Sequence, residues 1–306
     1  PVPRVHVPIG RGQAVVDVLH RCCREAGVDI ALGRRVDRLL VDDGAVSFWS
    51  QNTWENVQEL RFDSISEAAK HLRGIQRNWW LHSVTAHRRA QLIQEALPPL
   101  KQKAIKFLAP VPQAPLGSWT LWDEKKIYYS ALCSSPFPDG EVHFIENRTD
   151  PPSRAYLKLW EWFTTTERRP GPGEKVIDLG SSPGGWTWVL DQLGCEVLSV
   201  DKAPLAKNLK LSNRVKYVDE SAFGLDPRKI GPVDWLFSDI ICYPERLLQL
   251  IKNWKDSRMA RNFVCTIKFQ GPTDMKVIRD FAAIDGASVR HLFNNKHELT
   301  FSLEVP

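Results

Sequence analysis

The chain has 306 residues, 43% of them hydrophobic and 25% charged, with a formal net charge of +5. This is ordinary for a soluble globular protein, and the length allows two domains with proper cores. No apolar run approaches a membrane span of ~18 residues, and the opening Pro1-Val-Pro-Arg-Val-His-Val-Pro8 lacks the apolar core of a signal peptide, so a cytoplasmic protein without membrane or metal is expected.

In the amino-terminal half, helical periodicity runs from Gly12 to Gly27 through Val15, Val16, Val18, Leu19 and Cys22, and Arg38 to Trp49 reads as a hairpin turning at Asp42-Asp-Gly44. Ser64-Ile-Ser-Glu67 is a capping box ahead of a helix through Ala68, Leu72 and Ile75. Between Ala69 and Phe107 stand eight basic residues, Lys70, Arg73, Arg77, Arg88, Arg89, Lys101, Lys103 and Lys106, against one acid, Glu95, with Trp79 and Trp80 among them. That mixture suits RNA, phosphates meeting the cations and bases stacking on the indoles. Equally, it suits two amphipathic helices whose basic sides face water and whose tryptophans fill a core. Pro98-Pro99, Pro110, Pro112 and Pro115 interrupt regular structure, after which Trp119-Thr-Leu-Trp122 and Lys126-Ile-Tyr-Tyr-Ser130 flank a polar turn as a second hairpin. Residues 1–150 therefore read as a smaller α+β domain, with Arg73, Arg77, Arg88, Arg89, Lys101 and Lys103 as its candidate RNA contacts.

From about residue 151 strands alternate with helices. Strands are expected at Lys175–Leu179, Glu196–Val200, Val215–Val218, Trp235–Ser238 and Phe263–Phe269, which implies an α/β domain over 151–306 with a mostly parallel, Rossmann-like sheet. Ala287–Phe293 and Leu299–Val305, joined by a polar turn, should pair antiparallel, with the last strand on the sheet's edge. The six cysteines show no C-x-x-C spacing and read as reduced structural thiols.

The most telling stretch is Glu174-Lys-Val-Ile-Asp-Leu-Gly-Ser-Ser-Pro-Gly-Gly-Trp186, a buried-type strand breaking into a glycine-rich turn and then a helix. Gly180, Gly184 and Gly185 let a ligand approach the backbone at the end of a sheet. The turn lacks both Gly-x-Gly-x-x-Gly and the Lys-Ser/Thr of a P-loop, so a ligand with an adenosine but no phosphates fits better, S-adenosylmethionine being the common one. Asp201, ending the next strand, is placed to accept hydrogen bonds from both hydroxyls of a ribose. Asp178, Gly180, Ser182, Pro183, Gly184, Gly185, Trp186, Asp201, Asp219 and Asp239 are the candidate cofactor contacts.

Four further residues fall around this turn: Lys158, Asp239 ending Trp235-Leu-Phe-Ser-Asp, Lys268 ending Val264-Cys-Thr-Ile-Lys, and Glu298 opening the last strand. With Pro152-Ser-Arg-Ala-Tyr-Leu-Lys-Leu, Asp178-Leu-Gly-Ser-Ser-Pro-Gly-Gly-Trp-Thr, Ser199-Val-Asp, Ser238-Asp-Ile, Ile267-Lys-Phe and His297-Glu-Leu-Thr in order, the chain from about residue 118 resembles the FtsJ-type RNA ribose 2′-O-methyltransferases, whose catalytic tetrad runs Lys, Asp, Lys, Glu. Within that family it is most similar to the RlmM-like group, which acts on 23S ribosomal RNA. The resemblance implies a methyltransferase dependent on S-adenosylmethionine, with ribosomal RNA as its partner and Lys158, Asp239, Lys268 and Glu298 as its tetrad. One departure is Ser221-Ala-Phe223, where the family usually has an acid just before the phenylalanine; either Asp219 or Glu220 faces the adenine, or no acid does. Residues 1 to about 117 match no RNA-binding domain of that group.

The chemistry agrees with these residue types. A ribose 2′-hydroxyl is a poor nucleophile near neutral pH, so transfer needs a base within hydrogen-bond reach and an in-line methyl donor. An amine serves only when neutral, a form favoured by a neighbouring ammonium and partial burial and opposed by a carboxylate. Lys268 is expected to be the base, Lys158 its orienting partner, Asp239 the group that positions the Lys268 amine, and Glu298 a holder of Lys158 or of the ribose. The alternatives are a transfer-RNA or messenger-cap 2′-O-methyltransferase, and an inactive RNA-binding protein that keeps the fold.

Overall fold

The computed structural model describes residues 4–7, 39–41, 48–271 and 273–305. The expected helix at Gly12–Gly27, the turn at Asp42-Asp-Gly44, and Cys22 and Cys23 lie outside them. The chain divides into two compact units, 1–143 and 144–306, a boundary ahead of the expected 150/151. Residues 144–150 go with the second unit because the Phe144 ring packs on Trp160 at 5.5 Å, Glu146 pairs with Arg154, and the Asn147 carbonyl accepts the Tyr156 hydroxyl.

In the first unit, strands β1 (Arg4–Val7), β2 (Leu39–Val41), β3 (Asn52–Glu55) and, later in the chain, Leu132–Cys133 form a small sheet. Strand β2 pairs antiparallel with β1. A second sheet contains β4 (Gln58–Arg61), β5 (Trp79–Leu81), β6 (Gly117–Asp123) and β7 (Lys126–Ser130) in the order β4-β7-β6-β5, with β6 and β7 forming the expected hairpin. Helices α1 (Ile65–Ile75) and α2 (His87–Glu95) supply Ala68, Ala69, Leu72, Ala90 and Ile93 to its core. Ser64 caps α1 by accepting from the Glu67 amide, while the Glu67 carboxylate takes the Asp63 amide, one residue further back than in the usual capping box.

The second unit holds α3 (Tyr156–Thr166), β9 (Lys175–Leu179), α4 (Gly185–Gln192), β10 (Glu196–Asp201), β11 (Val215–Asp219), α5 (Pro227–Ile230), β12 (Val233–Ser238), α6 (Pro244–Asp256), β13 (Ala260–Lys268), α7 (Met275–Ala282), β14 (Ser288–Arg290) and β15 (Glu298–Glu304), the short Leu132–Cys133 strand being β8. Its sheet runs β11-β10-β9-β12-β13-β15-β14. The first five strands are parallel, and β15 is antiparallel to both neighbours. The expectation that the last strand sits on the edge is corrected: β15 inserts between β13 and β14, where both of its faces are covered, Leu299, Phe301 and Leu303 buried on one and Glu298 and Thr300 on the other. This insertion sets Glu298 opposite Lys268 in register.

Strand order reverses between β9 and β12, and the crevice beyond the carboxyl ends of strands at such a switch point is where open α/β sheets take ligands. Aromatic side chains cover one face of β12. On β12, Trp235 and Phe237 project to one face and stack at 5.7 Å, and Trp162, Phe163 and Trp186 meet them edge-on.

Candidate active site

At the switch point a cavity of about 370 Å³ is lined by Asp178, Gly180, Ser181, Ser182, Pro183, Gly185, Trp186, Asp201, Asp239 and Lys268, among others. Its first wall is the turn after β9. Gly180 sits at φ +76°, and a Cβ there would come 2.3 Å from Ile240 Cγ1 and 2.9 Å from the Ile240 Cα, so only glycine fits. Gly184 takes φ +112° at the start of α4 and lies under Leu209 rather than in the cavity wall. The Ser182–Pro183 peptide is cis. Trp186 donates its indole N–H to the Ala155 carbonyl at 2.9 Å, tying α4 to the start of α3 and hence to Lys158.

Carboxylates dominate the electrostatics of the wall. Asp178 is fully buried; Thr187 Oγ1 donates to its Oδ2 at 2.6 Å, and its Oδ1 has no partner among the described residues. Burial pushes the Asp178 carboxyl up to about 7, helped by nearby Asp239 and Asp201 and opposed by the Thr187 hydrogen bond. The buried Ser181 hydroxyl beside it is likewise unpartnered. Asp201 takes the Ser182 amide on Oδ2 at 3.0 Å and the Ala203 amide on Oδ1 at 2.9 Å, so it holds the turn while keeping a lone pair on each oxygen for a ligand.

Beside the cavity, one oxygen gathers two amines. Asp239 Oδ1 lies 2.7 Å from Lys158 Nζ and 3.1 Å from Lys268 Nζ, and Glu298 Oε1 lies 3.1 Å from Lys158 Nζ. Lys268 Nζ also donates to the Asp239 backbone carbonyl. Lys158 comes from the first turn of α3, Asp239 follows β12, and Lys268 and Glu298 face each other across the β13–β15 pair. The side chains are 8–17% exposed. Lys268 reaches the cavity, whereas Lys158, with two carboxylates, is set behind it.

Residues 151–278 match the FtsJ-like methyltransferase family model. The match falls wholly within the second unit. The chain is 35% identical over 187 residues to Ribosomal RNA large subunit methyltransferase M of Azotobacter vinelandii, a match covering 56% of this chain and 52% of that protein. It is 41% identical over 109 residues to the protein of the same name from Alkalilimnicola ehrlichii, covering 34% and 30%, and 33% identical over 157 residues to that of Halorhodospira halophila, covering 49% and 46%. The chain thus spans about half or less of the length of these curated relatives.

In the second unit, all four tetrad candidates meet, and the cofactor candidates line the cavity except Gly184 and Asp219. Asp219 ends β11 with its side chain exposed and off the cavity, while Glu220, just past the strand end, takes the wall position with Ser221 and Phe223. A basic stretch escaped the sequence reading: Lys202, Lys207, Lys210, Arg214 and Lys216 follow one another with no acid between residues 202 and 218. The loop bearing the first three packs over the glycine turn through Leu205 and Leu209. Charge counting over this segment would have found it.

In the first unit the basic candidates divide. Arg73, Arg77, Lys101 and Lys103 are exposed, Arg88 lies 4.0 Å from Glu95, and Arg89 is committed to the fold, donating to the Glu124 carbonyl and lying 5.4 Å from the Phe62 ring centre. Trp79 is buried, donates to the Leu72 carbonyl and packs on Tyr129, so the stacking reading is withdrawn for it. Trp80 is half-buried and donates to Asp139 Oδ2 at 2.8 Å. Among the described residues no group of three or more His, Cys, Asp or Glu is placed to hold a metal ion, and no helix is long and apolar enough to cross a membrane.

Proposed function

We propose that the chain is an S-adenosylmethionine-dependent RNA ribose 2′-O-methyltransferase acting on large-subunit ribosomal RNA, and so working in the cytoplasm. The observation that carries the reading is the sharing of Asp239 Oδ1 by Lys158 and Lys268 at the edge of the cavity. The cavity's volume is in the range of small-molecule sites, roughly 300–1,000 Å³, and its wall suits a cationic ligand without phosphates. Asp178, Asp201, Glu220 and Asp239 supply negative charge, and the unpartnered Asp178 Oδ1 and Ser181 Oγ await a polar group. Asp178 and Ser181 would hold the ammonium and carboxylate end of the cofactor, Asp201 its ribose, and Glu220 with Phe223 its adenine. When bound, S-adenosylmethionine supplies an electrophilic methyl group on a sulfonium.

Lys268 Nζ, in its neutral form, takes the proton of the acceptor 2′-hydroxyl as the oxygen attacks. The Asp239 carbonyl and carboxylate aim the Lys268 amine. Lys158, pinned between Asp239 and Glu298, fixes the Asp239 carboxylate against Lys268. Exposed Arg73, Arg77, Arg88, Lys101 and Lys103 of the first unit contribute phosphate contacts to the RNA. Incubation with labelled S-adenosylmethionine and unmodified large-subunit ribosomal RNA tests the reading: label should appear in a nucleoside whose 3′ linkage resists alkali, as 2′-O-methylation requires. Label in a base, or none, rejects it.

A further inference from the structure

The two most exposed large hydrophobic side chains among the described residues, Ile241 at 76% and Tyr243 at 64%, stand two and four residues beyond Asp239. Between them Cys242 is buried, so the segment alternates outward, inward, outward, as an extended chain does. Ile241 lines the same cavity as Lys268. Tyr243 precedes α6 with φ −63° and ψ 140°, and its carbonyl accepts the Arg246 and Leu247 amides, which fixes the backbone beneath the ring. Neither the ring nor the hydroxyl has a partner among the described residues.

We infer that Tyr243, with Ile241 beside it, is a stacking platform for the base of the nucleotide whose 2′-hydroxyl is methylated. This rests on the function proposed above. A ribose whose 2′-oxygen is at Lys268 carries its base on the adjacent carbon, so the base must emerge next to the site, and the segment following Asp239 borders it. Stacking on a preset aromatic face serves a base drawn out of its neighbours' stack and is indifferent to which base it is. Two side chains cover about one base, whereas a protein partner needs roughly 800 Å² on each side. The basic loop bearing Lys202, Lys207 and Lys210, which packs over the glycine turn, supplies the charge that a polyanion needs near the same cavity.

The test compares Tyr243→Ala, Tyr243→Phe and Tyr243→Trp in the full chain, with unmodified large-subunit ribosomal RNA transcript as the probe. Stacking predicts that Tyr243→Ala lowers kcat/KM for the transcript roughly five- to 150-fold, mainly through KM. The phenylalanine and tryptophan variants should stay within about threefold of wild type, and all three should keep wild-type melting temperature and S-adenosylmethionine affinity. An unchanged alanine variant, an equal loss in the phenylalanine variant, or a wild-type dimer that Tyr243→Ala dissociates overturns the inference. Should wild type transfer no methyl to RNA, the enzymatic reading fails by itself. Transcript binding then decides for the platform if it weakens in the alanine variant alone, and against it otherwise.

Discussion

Replacing Asp239 by Asn keeps the shape of the side chain and removes the one charge that two amines share. At 2.7 and 3.1 Å, each pair is worth about 5–6 kcal/mol in gross Coulomb energy at an effective dielectric constant of ~20. Desolvation already offsets part of this, so the net cost of leaving the ammonium groups against a neutral amide is about 3–5 kcal/mol. The two lysines do not suffer equally. Lys158 keeps Glu298 at 3.1 Å, whereas Lys268 keeps, among the described residues, only the Asp239 backbone carbonyl. Asp239→Asn should therefore have two effects: a melting temperature of the second unit lower by roughly 6–20 °C, and a single-turnover transfer rate at least ~100-fold below wild type. Scanning calorimetry reads the first and quenched-flow transfer of labelled methyl the second. A variant that transfers within threefold of wild type would refute the claim that Asp239 aims the base.

Further expectations concern the cofactor cleft and the turn before β15. Because burial holds the Asp178 carboxyl up to about 7, the stability its protonated form lends is full below its ordinary value near 4 and lost as pH rises through about 7. A cationic ligand needs the ionised form, so S-adenosylmethionine affinity should rise up to tenfold per pH unit from pH 5 to about 7 and then flatten. Asp178→Asn should abolish that dependence, and a flat wild-type profile by titration calorimetry would exclude the proposed contact. Gly180→Ala should cost roughly 1–3 kcal/mol and abolish cofactor binding, since its Cβ would strike Ile240; unaltered melting and affinity would show that the turn is looser than described. Glu161, fully buried, accepts the Phe293 and Asn294 amides and the Asn294 side chain, and burial pushes its carboxyl up to about 7. Glu161→Ala should leave three donors unsatisfied beneath the turn that delivers Glu298, at a cost of about 3 kcal/mol or more, and a chemical-denaturation midpoint equal to wild type would count against this anchoring.

Local signals carried most of what was legible in the sequence. The glycine turn, the five parallel strands and the Ser64 cap each follow from side chains within a few positions of one another, and they appear where the residues indicated. Long-range register was not legible. That Lys268 faces Glu298 depends on β15 entering between β13 and β14, a choice made by burying Leu299, Phe301 and Leu303 on neighbours that are remote in sequence. Trp79 shows the same limit, because an indole beside arginines looks like a stacking platform until Leu72 and Tyr129 close over it. The exchange of Glu220 for Asp219 turns on the single residue at which β11 ends.

The central claim is that Lys268, held on Asp239 beside Lys158, removes the proton from a ribose hydroxyl. Its most direct test is Lys268→Ala, with single-turnover methyl transfer to ribosomal RNA and S-adenosylmethionine binding measured on the same preparation. The account predicts a dissociation constant within threefold of wild type and a transfer rate lower by about 10²–10⁴-fold. Transfer at the wild-type rate in that variant would contradict it.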